Sequence, residues 1–398
     1  MYLCTNHIHY NLVMLSHKNT VEEEDEILEI EQVENGENDV EEDIISPFDP
    51  KDIKIIVEPK TIDHLVTRLR YDEIDLNTEF QRKGNLWKPD QQSRLIESIL
   101  LRLPLPAFYF DAEDENNWLV VDGLQRLWCI KNFIVDSEKE DEKVKSLELT
   151  GLEILTDFSG KGITYKQLSR TMQRRILETP ITTYLIQPGT PKAVKYNVFR
   201  RINTGGLGLN SMEIRNALNQ GNPSIFLRDL SESSDLKKLL KLQDKRMEDR
   251  ELLLRAISFI TKHYSEYETP LSSYLDKAME GLAKISKLEL AQMGEKIIAS
   301  INLQKEIFGK HMFSRSILGK PNRVKLNSAL FEVWVSVAYK LNDKQQSNLK
   351  INSTELIYEY KELLRTDEFI KTVVSSTSGR AAVKTRFEKI ENLINKYS

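Results

Sequence analysis

Residues 122–126 read Asp-Gly-Leu-Gln-Arg and stand between an apolar, β-rich run at 118–121 and a segment whose Leu124, Leu127, Trp128 and Phe133 recur at helical spacing. A strand that turns through Asp-Gly straight into a helix leaves the first helical N–H groups unpaired, at the positive end of the helix dipole. That setting suits a phosphate. Gly123 permits close backbone approach, Arg126 can grip phosphate oxygens in a fork, and Asp122 can hold a metal-bound water or a ribose hydroxyl. The plainer reading has Asp122 capping the helix and Arg126 paired with a surface carboxylate. The residues alone leave both open.

Two further stretches carry the same kind of chemistry. Glu79-Phe80-Gln81-Arg82, followed by Trp87, sets polar groups beside aromatics: Trp87 can stack on a base and Arg82 can reach a phosphate. The alternative is an aromatic packed on the core with the Arg82 stem lying over it. Asn203-Thr204-Gly205-Gly206 precedes a helix capped by Asn210, with Glu213 three residues on as a capping-box partner, and two adjacent glycines can form an anion-binding nest. The Gly-Lys-Ser/Thr ending of a Walker loop is missing. Arg215, one turn into the helix, can face the same pocket or form a surface salt bridge.

Other chemistries find little support. The six histidines form no His-x-x-x-His or HNH-like grouping, and Cys4 and Cys129 stand in no zinc-spaced cluster, so no metal ligands are expected from the protein. Two cysteines cannot build a disulfide framework, and Cys129, in an apolar run, reads as a buried thiol. A reducing cytoplasm is the expected location. No run approaches the roughly 20 apolar residues that span a bilayer, so no membrane association is expected.

Positioning these groups requires an α+β unit. Residues 53–57 read as a short strand, Thr61 as the cap of a helix over 62–70, and 107–110, 118–121 and 181–186 as strands. Helices are expected from Lys88-Pro89-Asp90 and over 192–201. The lysine- and acid-rich stretch 136–145 reads as an exposed loop or extension, and the charged run 246–251 as a solvated helix start, with Asp249 and Arg250 supporting the α+β domain across the interdomain contact as the alternative. From Ile225 onward the pattern is almost wholly helical. The expected organisation is an acidic disordered leader over 1–46, an α+β domain over 47–220 and an all-α domain over 221–398. Residues 1–50 hold fourteen Asp and Glu against one Lys, a charge of −13; the chain total is −5, so the remainder carries +8. A basic body with an acidic leader is compatible with polyanion binding, and equally with a merely solubilising leader.

In this order the pieces resemble a family of bacterial domains marked by an Asp-Gly-Gln-Gln-Arg motif and placed in the ParB/sulfiredoxin-like fold. It is the family of the GmrS half of GmrSD type IV restriction enzymes and of a phosphorothioate-sensing defence protein. The resemblance rests on Phe80-Gln81-Arg82, Val121-Asp-Gly-Leu-Gln-Arg-Leu127, Phe199-Arg-Arg-Ile-Asn-Thr-Gly-Gly206, Glu213-Ile-Arg-Asn-Ala-Leu218 and Met247-Glu-Asp-Arg250. It implies a bound NTP with Mg²⁺, hydrolysis in some members, and sensing of modified phage DNA. Asp122, Gln125 and Arg126 match the signature's Asp, second Gln and Arg. Gln81 and Arg82 match its upstream pair, and Asn203 with the glycines its later loop. Leu124 replaces the signature's first Gln, which removes one polar contact. Restriction members often carry an HNH nuclease region after this domain. No such histidine motif stands in this sequence, so cleavage of DNA by this chain alone is not the leading expectation; a separate nuclease subunit and an oligomer are both compatible. Two other readings remain: a DNA-backbone nicking nuclease using the same pocket, and a non-enzymatic scaffold.

Overall fold

The computed structural model describes residues 29–31, 49–76, 87–139, 145–158, 161–202, 210–242, 246–319 and 324–398. Gln81, Arg82, Asn203, Thr204, Gly205 and Gly206 therefore lie outside the described residues.

After β1 (Glu29–Ile30), which lies outside the main sheet, the α+β part begins with β2 (Ile55–Thr61), α1 (Ile62–Arg70) and β3 (Ile74–Asp75), followed by α2 (Pro89–Leu100), β4 (Phe108–Asp111) and β5 (Trp118–Asp122). Next come α3 (Leu124–Ile130), a π-turn over Lys131–Val135, α4 (Asp136–Glu138), α5 (Arg170–Leu177), β6 (Pro180–Ile186), α6 (Lys192–Ile202) and α7 (Ser211–Leu218). The Thr61 hydroxyl accepts the His64 N–H, and Ile62, Leu65, Val66 and Leu69 bury one face of α1, as their 3.6-residue spacing requires. Asn210 and Glu213 form the expected capping box on α7.

Five strands make one mixed sheet in the order β2-β6-β4-β5-β3. Strand β2 runs on past the expected end at Val57, through Pro59. Proline is tolerated because β2 is the sheet edge, where a missing N–H interrupts no ladder on the open side. The two faces of the sheet feed different cores. Phe108, Phe110, Val120 and Leu185 pack with α1, α2 and α3, while Val121, Ile186 and the half-buried Tyr109 pack with Phe199 of α6 and the helical half. Helices α6 and α7, read from sequence as part of the N-terminal domain, thus contribute to the core of that helical half.

The helical half comprises α8 (Asn222–Glu232), α9 (Ser234–Leu240), α10 (Glu248–Thr261), α11 (Leu271–Leu282), α12 (Lys287–Phe308), the short strand β7 (Lys325–Leu326), α13 (Ser328–Ala338), α14 (Asp343–Ile351), α15 (Ser353–Arg365), α16 (Asp367–Val374) and α17 (Arg380–Tyr397). Its centre is α13, buried on every side, with Glu332 held between Arg386 and Arg255. The architecture is the expected one: α+β, then all-α.

The polar run Arg170–Leu177, for which no element was read from the sequence, forms a helix, anchored by Ile176 and by Ser169, whose hydroxyl accepts the Met172 N–H. Two local expectations are corrected. The stretch from 136 does not start as an exposed loop, because Asp136 is buried between Lys131 and Lys139. The start of α10 is not solvated: Asp249 and Arg250 are buried, and Glu232 lies 3.9 Å from the Arg250 guanidinium. Cys129 is buried as expected, and burial pushes its thiol pKa up.

Within the acidic leader, β1 pairs in parallel with β7, and the Glu31 N–H donates to the Leu326 carbonyl at 2.7 Å. The Glu31 carboxylate accepts from Arg315 and, at 2.9 Å, from Asn327 Nδ2. Two backbone pairs alone are marginal, so this carboxylate anchors the strand. Arg315→Ala is expected to raise the hydrogen-exchange rate of the Glu31 amide at least tenfold while α13 stays protected. An unchanged rate would show that the backbone pairing suffices.

Candidate functional site

The β5–α3 turn is built by one glycine. Gly123 adopts φ +101°, and a Cβ added there would fall 2.5 Å from Phe108 Cδ1. Only glycine meets both demands, the left-handed backbone and the close approach of the Phe108 ring. Gly123 has no side chain with which to cap α3, whose helical course continues through the π-turn and α4.

Arg126 is folded under this turn. Its guanidinium lies 4.5 Å from the centre of the Phe108 ring, donates to the Pro106 carbonyl, and donates to Asp122 Oδ2 at 2.8 Å. Arg126 is 8% exposed, and burial pulls its pKa below the ordinary value against the opposing pull of Asp122. The Asp122 side chain is 38% exposed. Both sequence readings of the turn are thereby refined. Asp122 and Arg126 pair with each other, and Arg126 also ties the loop after α2 to the start of α3. Gln125 joins a second segment to the turn, since its Oε1 accepts the Trp87 N–H at 3.2 Å. The Trp87 carbonyl accepts from Gln92, and its half-buried ring packs against the core of the α1–α3 side.

Sequence reading missed what the sheet places beside the turn. Tyr109 of β4 is in register with Asp122 on one side and Tyr184 of β6 on the other, and the two tyrosine rings stack with centroids 4.5 Å apart. Burial raises the Tyr109 pKa, with Tyr184 and Asp122 adding to the effect and Arg126 opposing it. The available signal was the alternation Phe-Tyr-Phe-Asp over 108–111, which sends Tyr109 and Asp111 to the face opposite the two phenylalanines. Two residues along, Asp111 accepts from Lys195 Nζ of α6 at 2.7 and 2.9 Å, and Glu113 accepts from the same ammonium. The Lys195 and Asp111 side chains are 3% and 8% exposed. Burial raises the Asp111 pKa, although Lys195 pulls it down.

Arg215 is not brought to the turn. Its guanidinium is buried against α11, donating to Asp276 Oδ1 at 2.6 Å and to the Ser272 carbonyl at 3.3 Å. The 203–206 loop toward which the sequence reading turns Arg215 lies outside the described residues; the surface salt-bridge alternative is corrected, because the Arg215 side chain is 1% exposed. The reason is helix phase: the side of α7 that carries Arg215 packs against the helical half.

Fold and site together define a class: an α+β domain whose strand–Asp-Gly–helix turn offers a helix N-terminus beside a half-exposed carboxylate–arginine pair, a setting that can receive an anion. Residues 63–220 match the model of the family described as GmrSD restriction endonuclease, N-terminal domain, and this stretch of the chain belongs to that family. The match includes every site residue named above except those of the helical half, and it identifies a restriction-system protein. No curated protein and no solved structure matches the chain. Among the described residues no helix is long and apolar enough to cross a membrane.

Proposed function

We propose that the 122–126 turn binds a nucleoside triphosphate and that the chain acts as a nucleotide-dependent sensor or regulator in its restriction system, with DNA as the target sensed. The observation that carries this reading is the half-exposed Asp122 carboxylate lying on the buried Arg126 guanidinium at the start of α3. A carboxylate in that position stands where a phosphate would stand. An incoming phosphate replaces Asp122 as the partner of Arg126 and accepts from the first N–H groups of α3. Asp122, released, faces the ligand. The stacked Tyr109 and Tyr184 lie in register with it and offer an aromatic edge and two hydroxyls to the nucleoside.

Among the described residues no group of three or more His, Cys, Asp or Glu can hold a metal. This donor set fits Mg²⁺ carried in on the triphosphate, an ion usually bound by one or two carboxylates together with phosphate oxygens and water. Asp122 is the carboxylate at the turn that would complete such a shell, and the ion would neutralise phosphate charge. Leu124, apolar and buried, supplies no contact to the ligand.

The test is a panel of the four ribonucleoside triphosphates with Mg²⁺, by titration calorimetry and phosphate release, with and without duplex DNA. Saturable binding with turnover makes the chain an NTPase, and binding without turnover a nucleotide-gated sensor. Absence of binding under every condition sinks the reading.

A further inference from the structure

Residues 161–177 contain Lys161, Lys166, Arg170, Arg174 and Arg175 and no acidic residue at all. The structure turns four of these outward: Lys161, Lys166, Arg170 and Arg174 are exposed, while Ile176, Met172 and Leu177 of α5 pack on the core. Arg170 and Arg174 are one helical turn apart on the same side. Arg175 reaches across to the Leu100 carbonyl at the end of α2, where the exposed Arg102 extends the basic surface. Among the described residues Lys161, Lys166, Arg170 and Arg102 form no ion pair within 4.0 Å, and Arg174 has only the 3.7 Å contact with exposed Glu178. Of the acids on neighbouring elements, Glu138 accepts from Nε and Nη2 of Arg70 and Glu153 pairs with Arg94, while the exposed Glu148 carboxylate lies against Gly162, at the Lys161 end of the ridge.

We propose that this ridge, Lys161, Lys166, Arg170 and Arg174 with Arg102, is the surface on which the backbone of duplex DNA docks. Five exposed cations against the two acids Glu178 and Glu148 leave a net positive surface that matches a polyanion, and its attraction is independent of base sequence. An anionic membrane is the lesser match. An interfacial helix turns an apolar face outward, whereas the apolar residues of α5 face inward and its outer side is Arg170, Thr171, Arg174 and Glu178. The ridge is also connected to the turn described above. The loop that begins at Arg102 contains Pro106, whose carbonyl Arg126 holds. The proposal goes beyond nucleotide binding and does not depend on it.

The experiment uses the full chain without nucleotide and a labelled 30-base-pair duplex of mixed sequence, read by fluorescence anisotropy over a salt series. The variant K166Q/R170Q/R174Q changes only exposed side chains. A control of equal charge change, K237Q/K238Q/K262Q, lies in the helical half, where all three lysines are exposed. We expect the ridge variant to bind at least tenfold more weakly at 0.1 M salt. The slope of log K against log salt should become shallower by about 2 to 3, since each phosphate contact contributes roughly 0.9. The control should bind as wild type does. Wild-type affinity in the ridge variant, or an equal loss in the control, overturns the proposal. So does ridge-dependent binding to phosphatidylglycerol vesicles without binding to DNA. Because no nucleotide is present, failure at the 122–126 turn leaves this result untouched.

Discussion

Arg126→Ala is expected to abolish nucleotide binding and to lower the unfolding free energy by about 2–3 kcal/mol. The stability loss comes from the groups the guanidinium holds: the Pro106 carbonyl, Asp122 and the face of Phe108. Removing one partner of a fully buried ion pair costs about 3–5 kcal/mol. The expected loss is smaller because Asp122 is 38% exposed and water takes over part of the arginine's role. Binding suffers more than stability does. The proposed ligand loses its buried cation, and the loop after α2 is no longer tied to the start of α3. Arg126→Lys separates the two contributions. It keeps the charge but supplies a single point donor in place of a planar fork, so it should recover folding more fully than affinity. Calorimetric titration alongside thermal unfolding reads both. Unaltered triphosphate affinity in a folded Arg126→Ala protein would move the site away from this turn.

Lys195→Met is the second large effect. It removes the ammonium that neutralises Asp111, whose side chain is 8% exposed. The expected loss is about 3–5 kcal/mol, the usual result of leaving one charge of a buried pair alone. The double variant Asp111→Asn/Lys195→Met should regain most of it, because no uncompensated charge remains. The sign of the pH dependence comes from Asp111. Burial already raises its pKa in the folded protein, and without Lys195 the rise is greater. A carboxyl with a raised folded pKa binds its proton more tightly in the native state than in the unfolded chain. Below the ordinary aspartate range both states are protonated, and the variant lies nearest to wild type. As pH rises through the raised folded value, the native state is left with an unpaired buried carboxylate and the deficit grows to its full size. Denaturant melts of both proteins from pH 4 to pH 8 should show the gap widening with pH. A gap that narrows instead would mean that Asp111 ionises freely and is not desolvated. Lys195 carries α6 onto the sheet beside Tyr109, so the same variant should loosen the tyrosine edge next to Asp122.

Much of the α+β order was legible because its signals are local. The Thr61 cap and the Asn210–Glu213 capping box rest on contacts between residues three apart, and the left-handed backbone at Gly123 on the residue itself, so residue type and spacing suffice to announce them. The ordered motifs also pointed to the restriction family that the match over residues 63–220 identifies. Elements that depend on context were cut short or passed over. Strand β2 survives Pro59 only because it is an edge, and α5, which was not read from the sequence, forms from a polar run only because Ile176 finds a core waiting for it.

The chemistry around the turn was not legible, for a related reason. Arg126 meets Pro106 from 20 residues away, Lys195 meets Asp111 from 84, and Glu31 meets Arg315 from 284. No spacing rule links such positions, because their meeting depends on strand order and on which sheet face each helix covers. Arg215 likewise meets Asp276 from 61 residues away, because of the side of α7 on which it stands. Sequence alone thus determined the residue types at the turn and the glycine that the turn requires. Tertiary structure decided which charge each residue faces, since burial and pairing are properties of the packed chain and not of any stretch of it.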